Sequence, residues 1–457
     1  MLLSRVFEPF LKTRPVCVMA RCVLERLLDA DRLNGLFDET AQTQYTKELL
    51  FSTLVELMSE VVLGKQPSVH AAYQSQAENI PVSVTAVYRK LDRMELGVSE
   101  ALVRDSFRRA EPIIRQLRAA EPSWLAGYKV RILDGNHLGA TEHRIDELRR
   151  TWAAPLPGKA LVVFDQAKGL VRDVFLTEDG QAQERRLIGR VLETVQHGEL
   201  WIADRNFCTL PLIFEMHRRE ACFVLRQHGQ LEGRLLGRRQ RVGKTETGIV
   251  YEQAIAVTEP ASKEELVLRR VTVELDQPTR DGDTEIHILS NLPVEVTAAQ
   301  KLAELYRNRW TIERVFFEIE RAFESEISTL GYPAAALFAL SLGLLAYNAV
   351  ALVEAAIACE HGRETVRNEI STYYLSLEIR GTWDGMQIAI PPKHWRVFAT
   401  QTDDEFAATL REIARRMQLA RYKKHPRGPK KKPPKKTKYK NGGHVSTAKL
   451  IAERTSR

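Results

Sequence analysis

Apolar residues recur at three- and four-residue spacing through residues 24–36, 45–63 and 100–117, the period of one buried helix face. The region 1–128 is therefore expected to be helical almost throughout. Within it, residues 68–94 read as a helix, a break at Pro81 and a second helix capped by Ser83. That helix-turn-helix shape would turn Thr85, Tyr88, Arg89 and Arg93 outward as candidate DNA contacts, and an ordinary helical hairpin has the same pattern. From residue 129 the period changes to two. Strands are expected at 130–133, 160–164 and 170–176, the last two joined by a tight turn at Lys168-Gly169. A helix over 184–195, a strand over 200–203, a helix over 210–219 and a strand over 222–225 follow. This order builds an α/β mixed sheet in which an antiparallel meander is continued by parallel strands through helical crossovers. Its first and fourth strands are neighbours. Beyond it, strand patterns at 249–257, 265–275 and 285–288 mark a β-rich insertion. Residues 334–358 are apolar but interrupted by Ser341, Asn348 and Glu354, which fits a buried helix better than a bilayer span.

Three carboxylates interrupt this pattern. Asp134 and Asp204 each end a predicted strand, and carboxylates at strand ends of an α/β sheet face the crevice where ligands sit. Taken singly, either would be a turn or helix cap. The segment LYRNRWTIERVFFEIERAF at 305–323 is predicted as one helix with Tyr306, Arg309 and Glu313 along a common stripe. By itself that stripe reads as a solvated face with i,i+4 ion pairs. Together, three carboxylates suit two divalent cations about 3.5 to 4 Å apart, the arrangement used in phosphoryl transfer. An oxygen-only ligand set selects Mg²⁺ or Mn²⁺ over zinc. Trp310, inside the same segment, could stack on an unpaired base, though a packed core tryptophan is the commoner finding.

These blocks resemble the bacterial cut-and-paste DDE transposases of the insertion-sequence-four family, whose catalytic helix carries a Y-x2-R-x3-E-x6-K signature. Tyr306, Arg309 and Glu313 match its first three positions, ADRNF at 203–207 matches the block around the second aspartate, and LDGNHL at 133–138 the block around the first. The likeness runs over roughly 129–349. It implies an RNase H-like catalytic core over 129–225 and 296–360, split by the β-rich insertion over 226–295. It also implies that Asp134, Asp204 and Glu313 are the metal-binding triad, with Tyr306 and Arg309 at transposon-end DNA near the scissile phosphate. The partners implied are double-stranded DNA, as inverted repeats and target, and a second copy of the chain in a homodimer on that DNA. The family's final lysine would fall at residue 320, where this chain has Glu320, and Arg321 is the adjacent cation.

The formal charge of +8 is unevenly placed. Residues 421–457 hold 14 Lys or Arg against one Glu, a net of +13, so the first 420 residues carry −5. The run KKHPRGPKKKPPKKTKYK lacks apolar periodicity, and 421–457 is read as a basic disordered tail in which Lys430, Lys431 and Lys432 meet DNA phosphates without sequence preference. A solubilising terminal run has the same composition. Residues 1–128 then form a helical N-terminal DNA-binding domain ahead of the core, and 361–420 a helical C-terminal region. Cys17, Cys22, Cys208, Cys222 and Cys359 are odd in number and dispersed, so reduced thiols in a cytoplasmic compartment are expected, with no zinc site. Arg5, Glu8, Lys12 and Arg14 break up the first apolar residues, against a secretory signal, and with residues 334–358 read as buried no membrane partner is expected.

The expected reaction is attack by water at the transposon end, followed by attack of the freed 3′ hydroxyl on target DNA. Two other classes share these features. A nuclease of the same core would cut without joining, and a transposase-derived DNA-binding protein would tolerate loss of the triad.

Overall fold

The computed structural model describes residues 3–279, 281–425 and 443–455. Its centre is one nine-stranded mixed sheet in the order β4-β3-β1-β5-β6-β10-β9-β8-β7. The first five positions are β1 (Lys129–His137), β3 (Lys159–Asp165), β4 (Leu170–Thr177), β5 (Glu199–Ala203) and β6 (Cys222–Arg226). β3 runs antiparallel to β1 and β4, whereas β5 and β6 run parallel to β1, as the change from meander to crossover predicts. The β3–β4 turn depends on Gly169, whose φ of +67° is a conformation that side chains with a Cβ rarely adopt. Alternate residues of each strand feed opposite layers. Ile132, Ala160, Val162 and Phe164 join a core with the helices Leu96–Gln116 and Pro333–His361, while Leu133, Leu161, Val163 and Trp201 pack with the Ile188–Leu192 and Leu210–Arg218 helices.

The β-rich segment over 226–295 is joined to the core sheet. β7 (Arg234–Thr245), β8 (Gly248–Thr258), β9 (Glu265–Leu275) and β10 (Glu285–Ser290) do not form a separate unit but extend the core sheet. β10 returns antiparallel beside β6, pairing Ile288 with Arg226, Leu289 with Leu225 and Ser290 with Val224. An open β6 edge would expose unpaired N–H and C=O groups, and β10 covers it. The outer edge is β7, where Arg234, Arg238, Arg239 and Arg241 lie on exposed backbone.

The helical layer is broken more finely than periodicity suggests. The predicted helix over 24–36 divides into Pro15–Leu27 and Ala30–Thr40, because the Asp29 side chain accepts from Arg32 N and caps a new start. The Leu96–Gln116 helix lies against β4 and the Pro333–His361 helix. Buried Glu100 ties it down, accepting from Leu176 N at 2.7 Å and from the Arg190 and Arg104 guanidiniums. Among the described residues Pro333–His361 is the one helix long and apolar enough to cross a membrane, and most of it is buried within the protein. Its buried Asn348 accepts from Val171 N at 2.8 Å and donates to Val171 O and Ser106 Oγ at 2.9 Å each. Asn348→Leu is expected to lower stability by about 2–3 kcal/mol, since it strands the Val171 amide in an apolar layer. The denaturant midpoint measures this, and a midpoint at the wild-type value would contradict it.

The described residues 443–455 of the basic C-terminal region, expected to be disordered, are ordered. His444–Ser446 forms β11, parallel to β2 (Ala154–Leu156), and the Thr447–Thr455 helix packs on the Asp146–Arg149 turn. Arg454 pairs with Glu147 at 2.6 Å, Lys449 with Asp179 at 3.4 Å, and Gln181 donates to His444 O. Beyond the proline-lysine run, the segment HVSTAKLIAER at 444–454 brings apolar residues back and allows this docking. Lys430, Lys431 and Lys432 lie outside the described residues.

Candidate active site

Asp134 and Asp204 reach the same place because β1 and β5 are parallel and in register. Their pairing runs from Lys129 opposite Glu199 to Leu133 opposite Ala203. The next residue on each strand is a carboxylate, on neighbouring strands roughly 4.8 Å apart. β1 does not end at Asp134, as the sequence pattern suggests, but continues along β3 to His137. Asp134 is thus held within a strand, just past the last residue of β5.

Glu313 comes from the third segment, which is not one helix. Ala299–Arg307 is followed by a 3-10 turn, Asn308–Trp310, and then by the helix Thr311–Ala322. The Arg309 side chain in that turn points inward and is buried. It donates from Nη1 to Asp134 Oδ2 at 2.6 Å and from Nη2 to Glu313 Oε1 at 2.8 Å. One guanidinium therefore bridges a strand carboxylate and a helix carboxylate. Its Nε is buried with no acceptor. Tyr306, at the end of the preceding helix, is buried in contact with Arg309, and burial raises its hydroxyl pKa, so the phenol stays neutral.

The electrostatics are those of crowded negative charge. Burial pushes the Asp134 carboxyl up to about 6; the Arg309 guanidinium opposes this, and Asp204 and Glu313 add to it. Asp134 Oδ1 accepts from Gly135 N at 2.9 Å. Burial also raises Asp204, offset by the Asn206 N–H that its Oδ1 accepts at 2.8 Å and by Arg309. Asp204 therefore does cap the following Arg205–Phe207 turn while also facing the site.

A fourth carboxylate, Glu184, was not legible in sequence. It lies against His137, with Oε1 to Nε2 at 3.2 Å, and its charge acts on Asp204. Gly135 makes room for it, since a Cβ there would stand 2.3 Å from Glu184 Oε1. A glycine inside a strand pattern is a signal of such close approach. Trp310 is not in the core. It is 61% exposed, and Phe317, on the following helix, is 52% exposed. Glu320 is exposed on that helix as well; the Arg321 side chain lies outside the described residues. Arg89 and Arg93 are exposed on and just after the Val84–Asp92 helix, whose Ser83 cap accepts from Ala86 N, and they belong to the N-terminal helical layer.

The donor set fits hard divalent cations: carboxylate oxygens, half-buried, with excess negative charge. Among the described residues no three His, Cys, Asp or Glu side chains form a ready-made metal cluster. The Arg309 guanidinium stands between two of the three carboxylates.

Residues 125–349, just under half of the chain, match the family model of the transposase DDE domain. No curated protein matches the chain. Among solved structures, a cryo-electron microscopy structure of a piggyBac transposase synaptic complex with hairpin DNA aligns over 87% of this chain and 86% of that chain. It does so at a TM-score of 0.39 and 9% identity, too distant a likeness to bear on fold or function.

Proposed function

From the transposase DDE domain carried by residues 125–349, we propose that the chain is a DNA transposase of the insertion-sequence-four type that cleaves transposon ends and joins them to target DNA. The observation that carries this reading is that buried Arg309 bridges Asp134 of β1 and Glu313 of the Thr311–Ala322 helix, while Asp204 follows β5, the parallel neighbour of β1. These three carboxylates would hold Mg²⁺ or Mn²⁺, which when bound supplies activation of the attacking oxygen and charge neutralisation at the leaving one. The residues themselves do the rest. Arg309 has five N–H donors in a planar fork suited to a phosphate, and Tyr306 beside it offers a neutral hydroxyl. No covalent protein intermediate is required, so Tyr306 contacts and does not attack. Exposed Trp310, beside Arg309, and exposed Phe317 on the following helix offer aromatic surface on which unpaired bases can stack. The sheet reads as an RNase H-like core widened by β7–β10. Arg89, Arg93 and the lysines at 430–432 are proposed as DNA contacts, and the active form as a homodimer on paired ends.

Incubation with Mg²⁺ and duplexes carrying the inverted repeats that flank the gene tests this. Metal-dependent nicking at the repeat ends is expected, and binding without cleavage in Mg²⁺ and Mn²⁺ would leave a DNA-binding protein instead. Glu320 favours that second reading, since a carboxylate stands where the family has a phosphate-contacting lysine. Glu320→Lys is expected to raise duplex affinity several-fold and to steepen its salt dependence by about 0.9 per added phosphate contact. Filter binding across a salt series measures both, and an unchanged slope would mean that residue 320 does not face DNA.

A further inference from the structure

We infer that Arg309 is a latch on the metal site: in the DNA-free protein its guanidinium takes the place of a divalent cation between Asp134 and Glu313, and a DNA phosphate draws it away. This rests on the proposed reading of the three carboxylates as metal ligands.

Three observations lead to it. The guanidinium occupies one oxygen of each carboxylate, at 2.6 and 2.8 Å, so a cation cannot bridge those two oxygens while the arginine remains. The buried Arg309 Nε has no acceptor, which leaves one donor of the fork unused in this position. A phosphate offers several oxygens and can satisfy more of the fork than two separate carboxylates do. Finally, Arg309 sits in the 3-10 turn Asn308–Trp310 that interrupts an otherwise continuous helical segment. A 3-10 stretch between helices has poorer hydrogen-bond geometry and is a common hinge. Exposed Trp310 lies next to it, with the guanidinium 5.5 Å from its ring centroid, so an aromatic face lies beside the arginine when it leaves the carboxylates.

The consequence is reciprocal coupling. If phosphate and metal both favour the released arginine, DNA raises metal affinity and metal raises DNA affinity by the same factor. The free enzyme then holds little metal and does not cut at random.

Mn²⁺ titration of the full-length protein, with free Mn²⁺ read by electron paramagnetic resonance, tests this without any turnover. Arg309→Gln is expected to bind Mn²⁺ on the order of tenfold more tightly than wild type without DNA, a typical size for coupling between sites. Arg309→Lys, which keeps one charge but cannot span both carboxylates, is expected to fall between them and covers the case in which the glutamine variant folds poorly. Adding repeat-end duplex should tighten wild-type binding towards the Arg309→Gln value and leave Arg309→Gln unchanged. Equal Mn²⁺ affinity of wild type and both variants, with Glu313→Gln still weakening it, would overturn the latch and keep the metal site. Binding indifferent to Glu313→Gln as well would overturn the metal-site reading and the latch with it.

Discussion

Asp134→Asn lowers the rate of end cleavage by on the order of a thousandfold or more while leaving the fold at least as stable as wild type. The expected loss comes from removing one of the three carboxylates proposed to hold the metal: several kcal/mol of transition-state charge stabilisation would disappear, and about 4 kcal/mol corresponds to three powers of ten. The stability half follows from the site's own electrostatics. The Asp134 carboxyl rises from an ordinary 3.8 to about 6, chiefly through burial, so the folded chain disfavours its ionised form. For a group raised in this way, the stability it contributes is complete below the ordinary value and is lost as pH rises through about 6. The amide carries no such penalty, and its oxygen can still accept from Arg309. The thermal midpoint of Asp134→Asn should therefore match wild type near pH 4 and exceed it above pH 6. Cleavage rates and thermal melts at both pH values check this. A variant that cuts normally, or one that loses activity only because it melts early, would contradict the assignment.

Glu199→Gln is expected to cost about 3–5 kcal/mol of stability, the usual consequence of breaking one partner out of a buried charge network. Glu199 is fully buried and accepts from Arg131 Nε at 2.9 Å, from the Arg172 guanidinium, from Trp201 Nε1 at 3.0 Å and from Gln196 N at 3.1 Å. Burial alone would raise its pKa, but Arg131 and Arg172 outweigh burial and hold it below the ordinary value. Its stabilisation is thus present at neutral pH and lost in acid as the carboxylate protonates. Arg131 also pairs with Asp165, so the network clamps β1, β3, β4 and β5 together near the start of β1. That clamp holds the register that carries Asp134 beside Asp204 at the other end. A drop in urea midpoint with unchanged slope is the expected result. A change within about 0.5 kcal/mol, the range of ordinary surface substitutions, would show that the network is dispensable.

The parts of this site written in local pattern were legible in sequence. Alternation up to Leu133 and Ala203 placed two strand-end aspartates, and the parallel crossover made them neighbours. Parts that depend on tertiary partners were not. Nothing in LYRNRWTIERVFFEIERAF breaks helical periodicity, since it holds no glycine or proline. The 3-10 turn in its middle accompanies the inward ion pair of Arg309 with Asp134, 175 residues away in sequence. Exposed Trp310 follows from the same turn, where residue type alone favours burial. Glu184 opens the short 3-10 turn Glu184–Leu187 at the start of a predicted helix, where nothing marks it as facing the aspartates, and only Gly135 hinted at it. The strand pattern of β8–β10 was visible, but β7 and the attachment of these strands to the core sheet were not, because period two identifies a strand without naming its partner.

We propose that Asp134, Asp204 and Glu313 hold the metal at which DNA is cut and rejoined. The direct measurement is sequencing of junctions formed when the purified protein, Mg²⁺, a plasmid bearing its flanking inverted repeats and a target plasmid are combined. Repeat ends joined to target DNA with wild type, and none with Asp204→Ala, is the result this account predicts. Cleaved ends without any joints would indicate a nuclease, and joints that persist with Asp204→Ala would contradict the site itself.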